Sequence, residues 1–85
     1  MAFFVYILRS ESKGGKFYTG MTDDVDKRLN EHNRGKSKFT SGYIPWVVVH
    51  KEQFTTREEA RARAREKYFK TGAGRRFIKK LTSTQ

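Results

Sequence analysis

Two tyrosines, an arginine and a histidine, all within the first 32 residues of an 85-residue chain, are the groups best suited to chemistry. Tyr6 lies in Val5-Tyr6-Ile7 and Tyr18 in Phe17-Tyr18-Thr19-Gly20, with Lys13-Gly14-Gly15-Lys16 between them. Arg28 and His32 follow, one helical turn apart if that stretch is helical. The guanidinium is a planar, permanently charged fork that fits phosphate oxygens. An imidazole changes charge near neutral pH and can take a proton. A phenol, ordinarily titrating near pH ~10, is a poor base unless a cation or metal beside it favours its anion. The missing carboxylate is supplied by Glu66, in Arg65-Glu66-Lys67. One carboxylate is a reasonable allotment for Mg²⁺, which keeps several waters and takes phosphate oxygens as further ligands. Such a set could handle a phosphate ester.

Each of these residues taken singly is better explained by an ordinary structural role. Strand tyrosines commonly pack a ring and hydrogen-bond a hydroxyl. Arg28 could pair with a carboxylate such as Asp24, and Glu66 with Lys70 would be an i,i+4 helix pair worth only ~0.2–0.5 kcal/mol. Other chemistries find no support. His32 and His50 are too far apart for a zinc-binding helix and no cysteine supplements them. Lys13-Gly14-Gly15-Lys16 lacks the spaced Gly-Lys-Ser/Thr of a phosphate-binding loop, and no Ser/His/Asp set shows by spacing.

The elements that must position these groups can be read from pattern. Residues 3–9 are an aromatic and β-branched run, and 16–21 return as a second strand after the Gly14-Gly15 turn. Thr22 or Asp23 can cap a helix over residues 23–33, with Asp24 and Asp26 in its first turn and Gly35 as a stop. On that helix the apolar pair Val25 and Leu29 and the polar pair Arg28 and His32 are offset by about 60°, which puts the polar pair at a rim of the buried seam. Residues 34–42 form a basic loop. Pro45 opens a third strand over 46–54. Thr56 and Glu59 read as a capping box for a helix reaching residue 70. On it Ala60, Ala64 and Tyr68 make one apolar stripe and Ala62 and Phe69 another. Gly72 and Gly74 break that helix, residues 75–81 form a short last one, and 82–85 are a frayed tail. The order ββαβαα predicts an α/β sandwich of the α+β kind, a three-stranded, partly antiparallel sheet flanked by helices in a single domain over 1–85.

Nineteen Lys and Arg against nine Asp and Glu give a formal charge of +10. A field of that sign attracts polyanions, so nucleic acid is the favoured partner. No stretch approaches the ~20 apolar residues of a membrane span, and no basic amphipathic face suggests a membrane surface. With no cysteine and no export signal, the expected location is cytoplasmic.

In their order along the chain these residues resemble the GIY-YIG nucleases, of the small bacterial single-domain branch. Val5-Tyr6-Ile7 and Phe17-Tyr18-Thr19-Gly20 are similar to the two half-motifs. The likeness continues through Arg28-Leu29-Asn30-Glu31-His32-Asn33, Gly35, Pro45-Trp46, Glu59-Ala60 and the stretch from Arg65 to Gly72. The resemblance implies a metal-dependent endonuclease cutting DNA phosphodiester bonds, with a part in DNA repair or recombination. It makes Tyr6 and Tyr18 the motif tyrosines, Arg28 the phosphate-binding arginine and Glu66 the ligand of Mg²⁺ or Mn²⁺. His32 falls where members carry histidine or tyrosine. Val5 replaces the first motif glycine, Thr19 the motif isoleucine, and Met21 stands close to a lysine of several active relatives. Tyr6 is the favoured general base on the resemblance and His32 on intrinsic pKa. Lys36, Lys38, Arg75, Arg76, Lys79 and Lys80 would hold the flanking backbone without reading bases. A monomer is expected, aided by a targeting partner. The competing expectation is a catalytically inert nucleic-acid-binding module of the same fold, or a structural protein bound to RNA.

Overall fold

A computed structural model describes residues 2–12 and 15–83, the last two by backbone alone. The first strand, β1 (Ala2–Ser10), is the centre of a three-stranded sheet with β2 (Phe17–Thr22) on one side and β3 (Trp46–Thr55) on the other. Val5 to Leu8 are buried on both faces, which is why this stretch is continuously apolar instead of alternating. Strand period still divides it. Val5 and Ile7 join Phe54, Ala62, Phe69 and Ile78 in one core, while Tyr6 and Leu8 join Val25 and Trp46 in another. Helix α1 (Val25–Asn33) covers the Tyr6 face; α2 (Glu59–Phe69) and α3 (Gly72–Ser83) cover the other.

The order ββαβαα and the flanked three-stranded sheet are as expected. Both strand pairings are antiparallel, so the sheet is wholly so. Gly15 and Gly35 adopt φ of +61° and +77°, the left-handed conformation that ends the β1–β2 turn and stops α1. Lys13 and Gly14, the rest of that turn, and residues 84 and 85 lie outside the described residues.

Several boundaries differ from the sequence reading, each for a local reason. The α1 cap is Asp24, not Thr22 or Asp23, and it accepts a hydrogen bond from the Lys27 N–H at 3.0 Å. Thr22 is still paired with Phe4 in the sheet, so its backbone is not free to start a helix; its hydroxyl accepts from the Asp24 N–H instead. The capping box sits one residue early, on Thr55 and Glu58, because a 3₁₀ turn (Thr56–Glu58) precedes α2. Of the two apolar stripes on α2 only Ala62 and Phe69 are buried, whereas Ala60 and Ala64 are exposed and Tyr68 largely so.

The last helix begins at Gly72 and includes Gly74. That glycine is a contact point, not a breaker. A Cβ there would collide with the Tyr68 carbonyl oxygen and the Phe69 Cα, so its absence lets α3 lie directly on the end of α2. Thr71 Oγ1 accepts from the Gly74 N–H at 3.1 Å and stabilises the tight corner.

Candidate active site

Tyr6 points from the central strand toward α1, and its ring is 1 % exposed. Its strand partner is Gly20, while Tyr18 is paired with Leu8, so the two tyrosines are diagonal neighbours instead of directly opposed. They share a face, with ring centroids 6.3 Å apart. Gly20 is necessary there: a Cβ would lie 2.7 Å from the Tyr6 hydroxyl oxygen and 3.1 Å from the Tyr18 ring. The phenol therefore reaches across β2 toward the sheet edge through space that a side chain would fill.

His32 is not at a rim. It is fully buried, drawn under α1 by bonds at both ring nitrogens. Nε2 lies 3.0 Å from the Tyr6 hydroxyl and Nδ1 2.8 Å from Thr40 Oγ1. Thr40 is also fully buried, and its hydroxyl has the Ser37 carbonyl at 3.5 Å as acceptor. With that proton directed to Ser37, Thr40 Oγ1 accepts from Nδ1–H, which leaves Nε2 as the acceptor of the Tyr6 O–H. The arrangement is a chain: phenol to imidazole to threonine to backbone carbonyl. Burial, with the charge of Arg28 as a second cause, holds the His32 pKa below its ordinary 6.5. The ring is neutral at pH 7 and free to accept a proton at Nε2.

Arg28 is half-buried beside the same phenol. Its nearest carboxylate is Glu31, at 2.9 Å, and not Asp24. The charge of the guanidinium favours the Tyr6 anion. Burial outweighs this, and with Tyr18 and Glu66 acting in the same direction it pushes the Tyr6 pKa up to about 12. The phenol is thus held protonated between a guanidinium and a neutral imidazole.

Glu66 lies on α2, on the opposite face, between the buried Ala62 and Phe69. Helix α2 packs against β2, and the negative charge of Glu66 is the smallest of the influences that raise the Tyr6 pKa. The i,i+4 pair with Lys70 exists as well, at 3.3 Å. Among the described residues no three acidic or histidine side chains gather as a metal cage. A single carboxylate fits a hard cation that retains most of its waters, and does not fit one needing an all-protein shell.

The surroundings are rigid. Asn33 docks the end of α1 on β3 through both side-chain atoms, giving to the Trp46 carbonyl at 3.1 Å and accepting its N–H at 2.6 Å. Trp46 Nε1 in turn donates to the Thr40 carbonyl at 2.9 Å. Sequence reasoning missed Thr40 and the docking role of Asn33. Thr40 sits in an aperiodic loop with no pattern to distinguish it, whereas Asn33 beside Pro45-Trp46 was visible only as part of the motif likeness. Lys36 and Lys38 are exposed on that loop, shortly before Phe39. Arg75, Arg76, Lys79 and Lys80 are on α3, across the sheet, where Phe77 meets His50 of β3.

A family model described as the GIY-YIG catalytic domain matches residues 2–80. The chain belongs to the GIY-YIG family. Similar proteins include the UPF0213 protein SAG0778 of Streptococcus agalactiae, 41 % identical over 58 residues, which are 67 % of this chain and 64 % of that protein. The UPF0213 protein BH0048 of Halalkalibacterium halodurans is 46 % identical over 61 residues, 71 % of this chain and 63 % of that protein. The aligned part of this GIY-YIG chain thus spans a little under two thirds of the length of those relatives. A solution NMR structure of the UPF0213 protein BH0048 from Bacillus halodurans superposes with a TM-score of 0.53 at 36 % identity, covering 96 % of this chain and 86 % of that one. No helix among the described residues is long and apolar enough to cross a membrane.

Proposed function

We propose that this GIY-YIG domain is a metal-assisted endonuclease that hydrolyses phosphodiester bonds of DNA, with Tyr6, Tyr18, Arg28, His32 and Glu66 as its working residues. The observation that carries the reading is the Tyr6 hydroxyl, bonded to a buried neutral imidazole while it lies in the fields of Arg28 and Glu66. Neither Tyr6 nor His32 need act alone. As the phenol oxygen takes a proton from the attacking water, the phenol's own proton passes to His32 Nε2, so the high pKa of Tyr6 is never met by a free phenolate. The water oxygen bonds to phosphorus, the bond to the 3′ oxygen breaks, and solvent returns a proton to that oxygen. Arg28 stabilises the charge growing on the non-bridging oxygens, an effect typically worth ~3–4 kcal/mol. Tyr18 borders the site and orients the phosphate. Glu66 would hold Mg²⁺ or Mn²⁺, which when bound supplies further positive charge to the phosphate and leaving oxygens. Lys36 and Lys38 hold the backbone next to the site; Arg75, Arg76, Lys79 and Lys80 would reach a nucleic acid only where it wraps past the sheet. A repair or recombination role, a cytoplasmic monomer and a targeting partner complete the proposal.

Two features favour an inert binding module instead: Lys70 is paired with Glu66 at 3.3 Å, and Met21 stands where the resemblance leads one to look for a lysine. A nicking assay on plasmid and branched DNA, with Mg²⁺ or Mn²⁺, separates the readings. Nicking that vanishes in both Glu66→Gln and Arg28→Ala, with the fold intact by circular dichroism, supports the nuclease. Binding with no nicking in either metal supports the module. Nicking that survives both substitutions would remove this site from the reaction.

A further inference from the structure

The basic loop before β3 carries one side chain that folding does not account for. Phe39 is 78 % exposed, the most exposed of the large apolar side chains among the described residues. Its exposure is not the accident of a loose loop. The turn around it is closed by hydrogen bonds from the Thr40 N–H (3.2 Å) and the Ser41 N–H (3.0 Å) to the Ser37 carbonyl. The Ser41 hydroxyl adds a third, to the Lys38 carbonyl at 3.1 Å. The next residue, Thr40, is buried and bonded to His32. Phe39 is thus held out in water by a turn anchored in the candidate active site.

Its neighbours say what it could meet. Its ring stands 6.2 Å from that of Tyr18, tilted by 50°, and Tyr18 stands 4.8 Å from His32. Arg34, Lys36 and Lys38, shortly before it in the chain, are exposed, and residues 32–51 contain no acidic side chain. A single ring among cations is a small target for a protein partner, whose side of a stable interface usually covers ~800 Å² with a depleted charge at its centre. It suits a nucleic-acid strand, whose base offers a flat face to the ring and whose backbone phosphates suit the lysines.

We infer that Phe39 is a stacking platform for an unpaired nucleobase of the bound strand, beside the phosphate that Tyr6 and Arg28 address. The inference rests on the nucleic-acid reading above and deepens it. A base already stacked and paired in a duplex has no face to offer, so the platform selects nucleic acid in which the base at this position is single-stranded or turned out.

The test is an equilibrium titration in EDTA, where no cleavage occurs. The probe is a single-stranded DNA oligonucleotide carrying 2-aminopurine. Stacking on Phe39 should quench the probe on binding. Phe39→Ala should weaken binding about ten-fold and abolish the quench, and Phe39→Trp should keep both. An abasic oligonucleotide should bind the parent chain as weakly as the normal one binds Phe39→Ala. A fully paired duplex of the same sequence should be indifferent to the substitution. The inference is overturned if Phe39→Ala binds the single strand within about two-fold of the parent, if the quench persists, or if duplex binding falls by as much. Because nothing is cut, a chain that stacks bases but never nicks DNA defeats only the nuclease reading. One that nicks but ignores Phe39 defeats only this inference.

Discussion

At the scale of single residues the decisive object is the hydrogen-bond chain from Tyr6 through His32 to Thr40. Its polarity depends on one hydroxyl. Thr40→Val removes the acceptor of Nδ1–H and leaves a buried donor unpaired, which costs ~1–3 kcal/mol of stability and frees the ring to take the other tautomer. We expect cleavage to fall about ten-fold or more, Thr40→Ser to restore it, and the imidazole ¹⁵N shifts to report the tautomer directly. Unchanged shifts in Thr40→Val would contradict the assignment. The same histidine predicts a pH effect on folding. Its folded pKa lies below 6.5, so the unfolded chain binds more protons once the pH drops beneath that value. Its stability contribution is complete above pH 6.5 and is lost as the pH falls through the lowered folded value. Glu31, Glu52 and Glu58, each held below 4.5 by hydrogen bonds, add their losses only further down. Melting temperature should therefore fall between pH 7 and 5 in the parent, and His32→Gln should flatten that slope while leaving the steeper decline under pH 4.5.

At the scale of elements three glycines differ in what an added methyl would meet. Gly74→Ala forces α3 off the carbonyl of Tyr68 and should cost more than about 2 kcal/mol in a denaturant titration. Gly42, where an added Cβ would meet nothing within 4 Å, should accept alanine within ~0.5 kcal/mol. Gly20→Ala is different in kind, since its methyl meets the movable end of Tyr6. The chain should still fold but lose cleavage. If Gly20→Ala cuts normally, the placement of the phenol is not what matters. Strands, helices and their order were legible in the sequence because hydrophobic period and turn residues are local signals. The boundaries were not, because they were settled by events outside the pattern. Thr22 stays a strand residue because Phe4 pairs with it, and Gly74 joins a helix because another helix end lies against it. The candidate site was legible as a set of residue types. That His32 is buried, and that Glu66 lies on a helix across the sheet from Tyr6, depends on packing that no spacing rule contains.

At the scale of the whole molecule, charge and site are only partly coincident. Lys36 and Lys38 are exposed on the loop that carries Thr40, but the cations of α3 lie across the sheet. Binding to any DNA should weaken with salt, and Lys36→Ala with Lys38→Ala should lower the slope of log affinity against log salt by about 1 each. Arg75→Ala with Arg76→Ala should lower it only for substrates long enough to wrap past the edge. Equal effects on a short oligonucleotide would show that α3 faces the site after all. The wider claim is that this basic fold exists to bring one phosphate ester to a phenol whose proton has somewhere to go. Single-turnover cleavage by Tyr6→Phe, beside the parent across pH 5 to 9, addresses it most directly. The parent rate should fall only below pH 6.5, as His32 protonates, and the Tyr6→Phe rate should be lower by about a hundred-fold or more at every pH. A Tyr6→Phe rate within a few-fold of the parent would contradict it.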